Sequence, residues 1–155
     1  MQRGDLRLGK VAFDYAGDVA VVLHASMSVL VVDDSSPMIT IMRNLLRNIG
    51  ITDVDDAKDG ATALAKMHAK RYDLVISDWN MEPMTGYAFL REVRSDAALK
   101  RTPFIMVTAE SKTENVIAAR KAGVDNYIVK PFNAQTLKSK IETVLAARTA
   151  RLSEI

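Results

Sequence analysis

Three carboxylates, a hydroxyl and an ammonium group share one place in this chain: each stands at the end of a short apolar run. Val29-Leu30-Val31-Val32 runs into Asp33-Asp34, Leu74-Val75-Ile76-Ser77 into Asp78, Phe104-Ile105-Met106-Val107 into Thr108, and Tyr127-Ile128-Val129 into Lys130. Apolar runs without polar alternation suit parallel strands covered on both faces. Ligands of open parallel sheets collect beyond the carboxyl ends of the strands. One polar strand tip is usually a turn or cap residue, but five on the same edge are not explained by solvation. Clustered carboxylates repel and raise the pKa of at least one unless a cation intervenes. Oxygen donors without histidine or thiolate favour a hard ion, Mg²⁺, over zinc. Lys130 supplies a mobile point charge and Thr108 a hydroxyl, the groups that compensate the equatorial oxygens of a phosphoryl group in transfer. Asp78 is the expected nucleophile and phosphoacceptor.

The elements that must position these residues alternate strand with helix five times. After the first strand, Ser35-Ser36-Pro37 opens a helix with a capping residue and a first-turn proline. Met38, Met42, Leu45, Leu46 and Ile49 recur along it at helical spacing, and Gly50 stops it. Residues 51–55 read as a weak edge strand, and Asp59 caps a helix over 60–70 that buries Ala63, Leu64 and Met67. The strand of Asp78 is third, followed by a loop over 81–86 and a helix carrying Phe89, Leu90 and Val93. Residues 103–108 form the fourth strand, 112–122 a helix ended by Gly123, and 126–130 the fifth strand. Asn133 caps a last helix with Leu137, Ile141, Val144 and Leu145 on one face. Such alternation predicts an α/β fold, a parallel sheet with helices on both faces, because each crossover must be right-handed.

Length and composition agree with one such domain. The chain has 155 residues, 48% hydrophobic and 26% charged, enough for a real core and outside the range of disordered chains. It has no cysteine, which excludes a disulfide framework or thiolate metal site and points to a reducing compartment. A net charge of +2 gives no global electrostatic case for nucleic acid. The apolar run at 19–23 is far short of the roughly 20 residues a membrane span needs. Asp14 and Asp18 precede it where a signal peptide has basic residues, so a cytoplasmic protein without a membrane span is expected. Residues 1–26 mix Arg3, Arg7 and Lys10 with Asp5, Asp14 and Asp18 and show no sustained period; they are expected to form a loose extension rather than a docking arm. Organised sequence begins directly after Met27, which makes it a candidate start. The expected division is an extension over 1–26, one domain over 27–148 and a short tail over 149–155. His24 falls in the extension and His68 on a helix surface, so neither is assigned to the site.

The acid pair Asp33-Asp34, the stretch Ser77-Asp78-Trp79-Asn80-Met81, Val107-Thr108-Ala109-Glu110 and Val129-Lys130-Pro131-Phe132 together resemble a response regulator receiver domain, of the stand-alone chemotaxis type. The resemblance covers about residues 27–147. It implies a flavodoxin-like, doubly wound five-stranded sheet of order 2-1-3-4-5 with five helices. It implies that Asp78 accepts a phosphoryl group from the phosphohistidine of a sensor kinase. Asp34 and Asp78 would ligate Mg²⁺ directly, Asp33 through water and Asn80 through its backbone carbonyl. Thr108 and Lys130 would bind the phosphoryl oxygens, Tyr127 would turn inward as Thr108 moves, and the bond before Pro131 would be cis. Lys112, Tyr127 and Lys140 match positions that such proteins present to a flagellar motor switch protein, and a phosphatase is a further expected partner. The implied protein is a monomeric switch rather than an enzyme, without nucleic acid. Two positions depart from the family pattern: Glu82 stands where proline is usual, with Pro83 one place later, and Thr85 replaces an aspartate before Gly86.

Two other readings compete. A phosphate sink or relay in the same family would need only histidine-protein partners, so binding to a motor peptide separates it from a motor regulator. A phosphatase working through an aspartyl-phosphate would usually carry a second aspartate two places after the nucleophile, where this chain has Asn80.

Overall fold

A computed structural model of the chain describes residues 26–109 and 112–153. The expectations placed on residues 1–25, including His24, and on Glu110 lie outside the described residues. Five strands, β1 (Ser28–Val32), β2 (Asp53–Ala57), β3 (Leu74–Asp78), β4 (Phe104–Thr108) and β5 (Asn126–Val129), pair in parallel in the order β2-β1-β3-β4-β5. They alternate with α1 (Ser36–Asn48), α2 (Gly60–Ala69), α3 (Gly86–Ser95), α4 (Thr113–Ala122) and α5 (Ala134–Ser153). Among the described residues the flavodoxin-like order and the five helices are as the resemblance implies. Val32 pairs with Ser77, Asp78 with Val107 and Thr108 with Val129, so the tips of β1, β3, β4 and β5 are level.

Each face of the sheet carries its own core. Val29, Val31, Leu74, Ile76, Ile105, Val107 and Ile128 point toward α1 and α5, meeting Met42, Leu46, Leu137, Ile141 and Val144. Leu30, Val32, Val75, Phe104 and Met106 point the other way, toward Ala63 and Met67 of α2 and Phe89, Leu90 and Val93 of α3. Alternate residues of a strand face opposite sides, so an unbroken apolar run is what a sheet covered twice requires. Helix starts use the residues the sequence offers: the Ser35 side chain accepts from Met38 N–H, Asp59 from Thr62, Thr85 from Ala88 and Asn133 from Thr136.

The second strand lies two residues later than expected. Ile51 is fully buried, but its N–H donates to Leu46 O at 2.9 Å while Gly50 N–H donates to Arg47 O at 3.0 Å. With Gly50 at φ 96°, this is a Schellman end, and Ile51 is its hydrophobic contact rather than a strand residue. α4 ends likewise, Val124 N–H donating to Ala119 O beyond Gly123 at φ 100°. The strand instead holds Asp53, Asp55 and Asp56, whose charges are met across the element: Asp53 by the Ser28 hydroxyl and Lys70, Asp55 by Tyr72 and Lys70, and Asp56 by Arg43.

The last helix runs on to Ser153 through residues read as a tail. No glycine or proline interrupts it, and Arg148 ties it down by donating to Asp125 and Arg101 O. Asp125 also takes Arg94 at 3.0 Å and Phe104 N–H at 2.8 Å, so one carboxylate joins α3, β4 and α5. Among the described residues, no helix is long and apolar enough to cross a membrane.

Candidate functional site

The parallel sheet brings Asp33, Asp34, Asp78, Thr108 and Lys130 to one edge because each terminates a strand or follows it within two residues, and the strand tips are in level register. Carboxylate oxygens of Asp33, Asp34 and Asp78 lie within 4.8 Å of one another. Asp33, Asp78 and Thr108 are buried, while Asp34 is exposed at the rim. Lys130 Nζ stands 3.0 Å from Asp78 Oδ1. That contact is charge pairing outside hydrogen-bond geometry, so the buried Oδ1 has no hydrogen bond. Asp33 gives one oxygen to Ser35 N–H at 2.9 Å. Burial, chiefly, pushes the Asp33 carboxyl up; the Ser35 N–H opposes this, the Asp78 charge adds to it, Lys130 opposes it, and Asp34 adds again.

An orphaned buried carboxylate oxygen beside two further carboxylates fits a hard divalent cation. The donors are all oxygen, and the one described histidine, His68, is at the far end of α2, paired with Asp96 at 2.8 Å. Such a cation would satisfy the unbonded oxygen and relieve the repulsion that burial intensifies.

The β3–α3 loop is pinned to the acceptor's own backbone. Trp79 N–H donates to Val107 O at 2.9 Å, extending the ladder one residue past Asp78, and Gly86 N–H returns to Trp79 O at 2.8 Å. Gly86 packs so closely that a Cβ would overlap the carbonyl of Asp78. No motif in the sequence assigns Gly86 a role; the one local signal is a glycine directly behind a capping threonine, Thr85. Ser77, also unassigned, is fully buried and donates its hydroxyl to Asp78 O at 3.0 Å. Trp79 stacks on Tyr87, centroids 5.6 Å apart and planes 18° off parallel.

The remaining candidates are spread around this edge. Asn80 is exposed at the rim, and Tyr127 is half-buried against the α2–α3 core. The Lys130–Pro131 bond is cis, and so is Glu82–Pro83 in the loop where the pattern departs. Lys112 is the exposed N-cap of α4, and Lys140 is half-buried on α5. Ile117 of α4, to which no role was assigned from the sequence, is 47% exposed, and Val129, expected to be covered as part of the fifth apolar run, is 38% exposed at the end of the edge strand β5.

Fold and pocket together define a doubly wound α/β domain with an acidic, lysine-bearing cleft at the carboxyl edge of its sheet. The response regulator receiver domain model matches residues 29–142, and the chain belongs to that family. It is 51% identical over 109 residues to the chemotaxis protein CheY of Pseudomonas aeruginosa, covering 70% of this chain and 88% of that one. Among solved structures it resembles Vibrio cholerae CheY4, with a TM-score of 0.72 and 38% identity over 77% of this chain and 99% of that one. It also resembles the receiver domain of a sensor histidine kinase from P. aeruginosa, described with a magnesium ion coordinated in its active site cleft; the TM-score is 0.69 and the identity 27% over 77% of this chain and 98% of that one. The chain is a CheY-like receiver domain, of a class that works as signalling switches rather than as classical enzymes, and this is consistent with chemotaxis signalling.

Proposed function

We propose that Asp78 accepts a phosphoryl group from the phosphohistidine of a chemotaxis-type sensor kinase and that the product state engages the flagellar motor switch. The observation that carries this reading is the buried Asp78 carboxylate, with Lys130 at 3.0 Å and Asp33 and Asp34 beside it. An Asp78 oxygen attacks phosphorus, an O–P bond forms, and the P–N bond breaks with its electron pair leaving on the imidazole. Lys130 and Thr108 compensate the charge on the phosphoryl oxygens. Asp33, Asp34, Asp78 and the Asn80 carbonyl would hold Mg²⁺, which supplies charge neutralisation to the carboxylates and the incoming group.

Thr108 moving toward the new phosphoryl group vacates space on its strand, and Tyr127 on the neighbouring strand turns inward. The surface this alters carries Lys112, Tyr127 and Lys140 together with the exposed apolar Ile117 and Val129, a composition suited to a partner peptide. The protein would act in the cytoplasm as a monomer, with a phosphatase as a further partner, and the phosphorylated domain would extend over residues 27–148.

Beryllofluoride with Mg²⁺ should change Trp79 fluorescence and raise affinity for a motor switch peptide. Loading without any gain in peptide affinity would favour a phosphate sink or relay, and no loading would dismiss the acceptor assignment. Steady turnover of a small phosphomonoester would instead establish a phosphatase.

A further inference from the structure

The residue that follows the acceptor is held through its backbone and through its side chain. Trp79 N–H donates to Val107 O at 2.9 Å, and Trp79 O accepts from Gly86 N–H at 2.8 Å, so both of its backbone polar groups are engaged. Its indole stacks on the Tyr87 ring with centroids 5.6 Å apart and planes 18° from parallel, inside the range that offset aromatic pairs favour. The Arg91 guanidinium carbon lies 5.9 Å from the centroid of the same Tyr87 ring. Tyr87 and Arg91 are four residues apart on α3 and share one face of it, which makes Arg91 a cation–π partner of the ring that holds the indole.

This column stands apart from the apolar face of α3. Phe89, Leu90 and Val93 of that helix are fully buried, whereas Tyr87 is half-buried and Arg91 exposed. Trp79 is half-buried too, at the margin of the α2–α3 core. Rings left partly in water gain less from burial than core rings do, and what the stack fixes is orientation. With the backbone of Trp79 already tied, contact with Tyr87 restrains the side-chain torsions that remain.

Trp79 stands between Asp78 and Asn80, the acceptor carboxylate and the carbonyl assigned to Mg²⁺. We propose, on the reading that Asp78 and Asn80 hold the cation, that Tyr87 is a positioning residue for this segment. Through the indole, and steadied by Arg91, it keeps Asp78 and Asn80 in one relative orientation before the cation arrives. Ligands ordered in advance bind without the entropic cost of ordering them, so freeing the indole weakens the site although every ligand is still present.

The only tryptophan is Trp79, so polarised fluorescence decay follows this indole alone. In the metal-free parent the indole should turn with the whole domain. Tyr87→Ala should add a motion of about a nanosecond or faster, Tyr87→Phe should not, and Arg91→Gln should add a smaller one. Calorimetric titration should show Mg²⁺ affinity about two- to tenfold weaker in Tyr87→Ala, the span of one aromatic pair, and unchanged in Tyr87→Phe. A ring that only packed would lower the melting temperature of Tyr87→Ala and leave Mg²⁺ affinity at the parent value. An indole equally rigid in Tyr87→Ala, or one set free while Mg²⁺ affinity holds, overturns the proposal. A parent that binds no Mg²⁺ sinks the metal site and this role together, whereas a parent that binds it no better than Tyr87→Ala sinks this role alone.

Discussion

Gly86→Ala is the substitution that most directly tests how the acceptor is held. A Cβ at Gly86 would stand 2.8 Å from Trp79 Cα and 2.9 Å from the Asp78 carbonyl carbon, and would overlap the Asp78 oxygen. All three are backbone atoms, so no rotamer change relieves the clash. Reaching even about 3.5 Å from Trp79 Cα, the short end of carbon–carbon contact, requires α3 and the tip of β3 to part by at least about 0.7 Å, and clearing the Asp78 oxygen requires more. The Gly86 N–H bond to Trp79 O, 2.8 Å in the parent, lengthens with them. Overpacking of this kind costs about 1–3 kcal/mol, a fall of roughly 3–10 °C in melting temperature for a domain of this size. Displacing the nucleophile by most of an ångström should slow phosphorylation on the order of tenfold to a hundredfold. Calorimetry gives the first quantity, and stopped-flow Trp79 fluorescence with a small phosphodonor gives the second. Gly50→Ala is the control: φ is 96° but no atom lies within 4 Å, so it should cost about 1 kcal/mol and leave phosphorylation untouched. A Gly86→Ala protein that labels at the parent rate, or a Gly50→Ala protein that is equally impaired, refutes the reasoning.

Other outcomes follow from the same geometry. Asp78→Asn should abolish labelling by any phosphodonor yet melt no lower than the parent, because it removes one charge from a repulsive acid cluster; thermal unfolding with a labelling assay checks both halves. Asp125→Ala removes the counterion of Arg94 and Arg148 and the acceptor of the Phe104 N–H, leaving both guanidinium groups only backbone carbonyls, and urea titration should show a loss of about 3–5 kcal/mol. Burial first, and the bond to Asp55 second, push the Tyr72 hydroxyl up from 10.0 to about 12. The unfolded chain then loses this proton before the folded one. The stability it contributes is whole below pH 10 and drains away toward pH 12, by on the order of 1 kcal/mol after solvent screening. Tyr72→Phe should flatten stability against pH across that window, and an unchanged slope would count against it.

Much of the site was legible in the chain because its chemistry sits at strand ends, and strand ends are marked locally where apolar runs stop. Asp33, Asp78, Thr108 and Lys130 needed no three-dimensional information to be selected, and Ser35, Asp59 and Asn133 announced helix starts through capping chemistry that acts within three residues. Ile51 misled for the complementary reason. A buried aliphatic residue looks the same in a strand and in the turn that seals a helix, and only the bond from its N–H to Leu46 separates the two.

What the amino-acid order determined by itself was therefore the alternation of strand and helix, the two-faced burial of the sheet and the identity of the polar tips. Tertiary structure alone decided that Lys130 meets Asp78 at 3.0 Å, that Gly86 has no room for a side chain, and that Asp125 gathers two arginines from different helices. Periodicity and capping report on neighbours along the chain. Which strand lies beside which, and what fills the space between them, depends on crossover handedness and close packing among residues far apart in sequence.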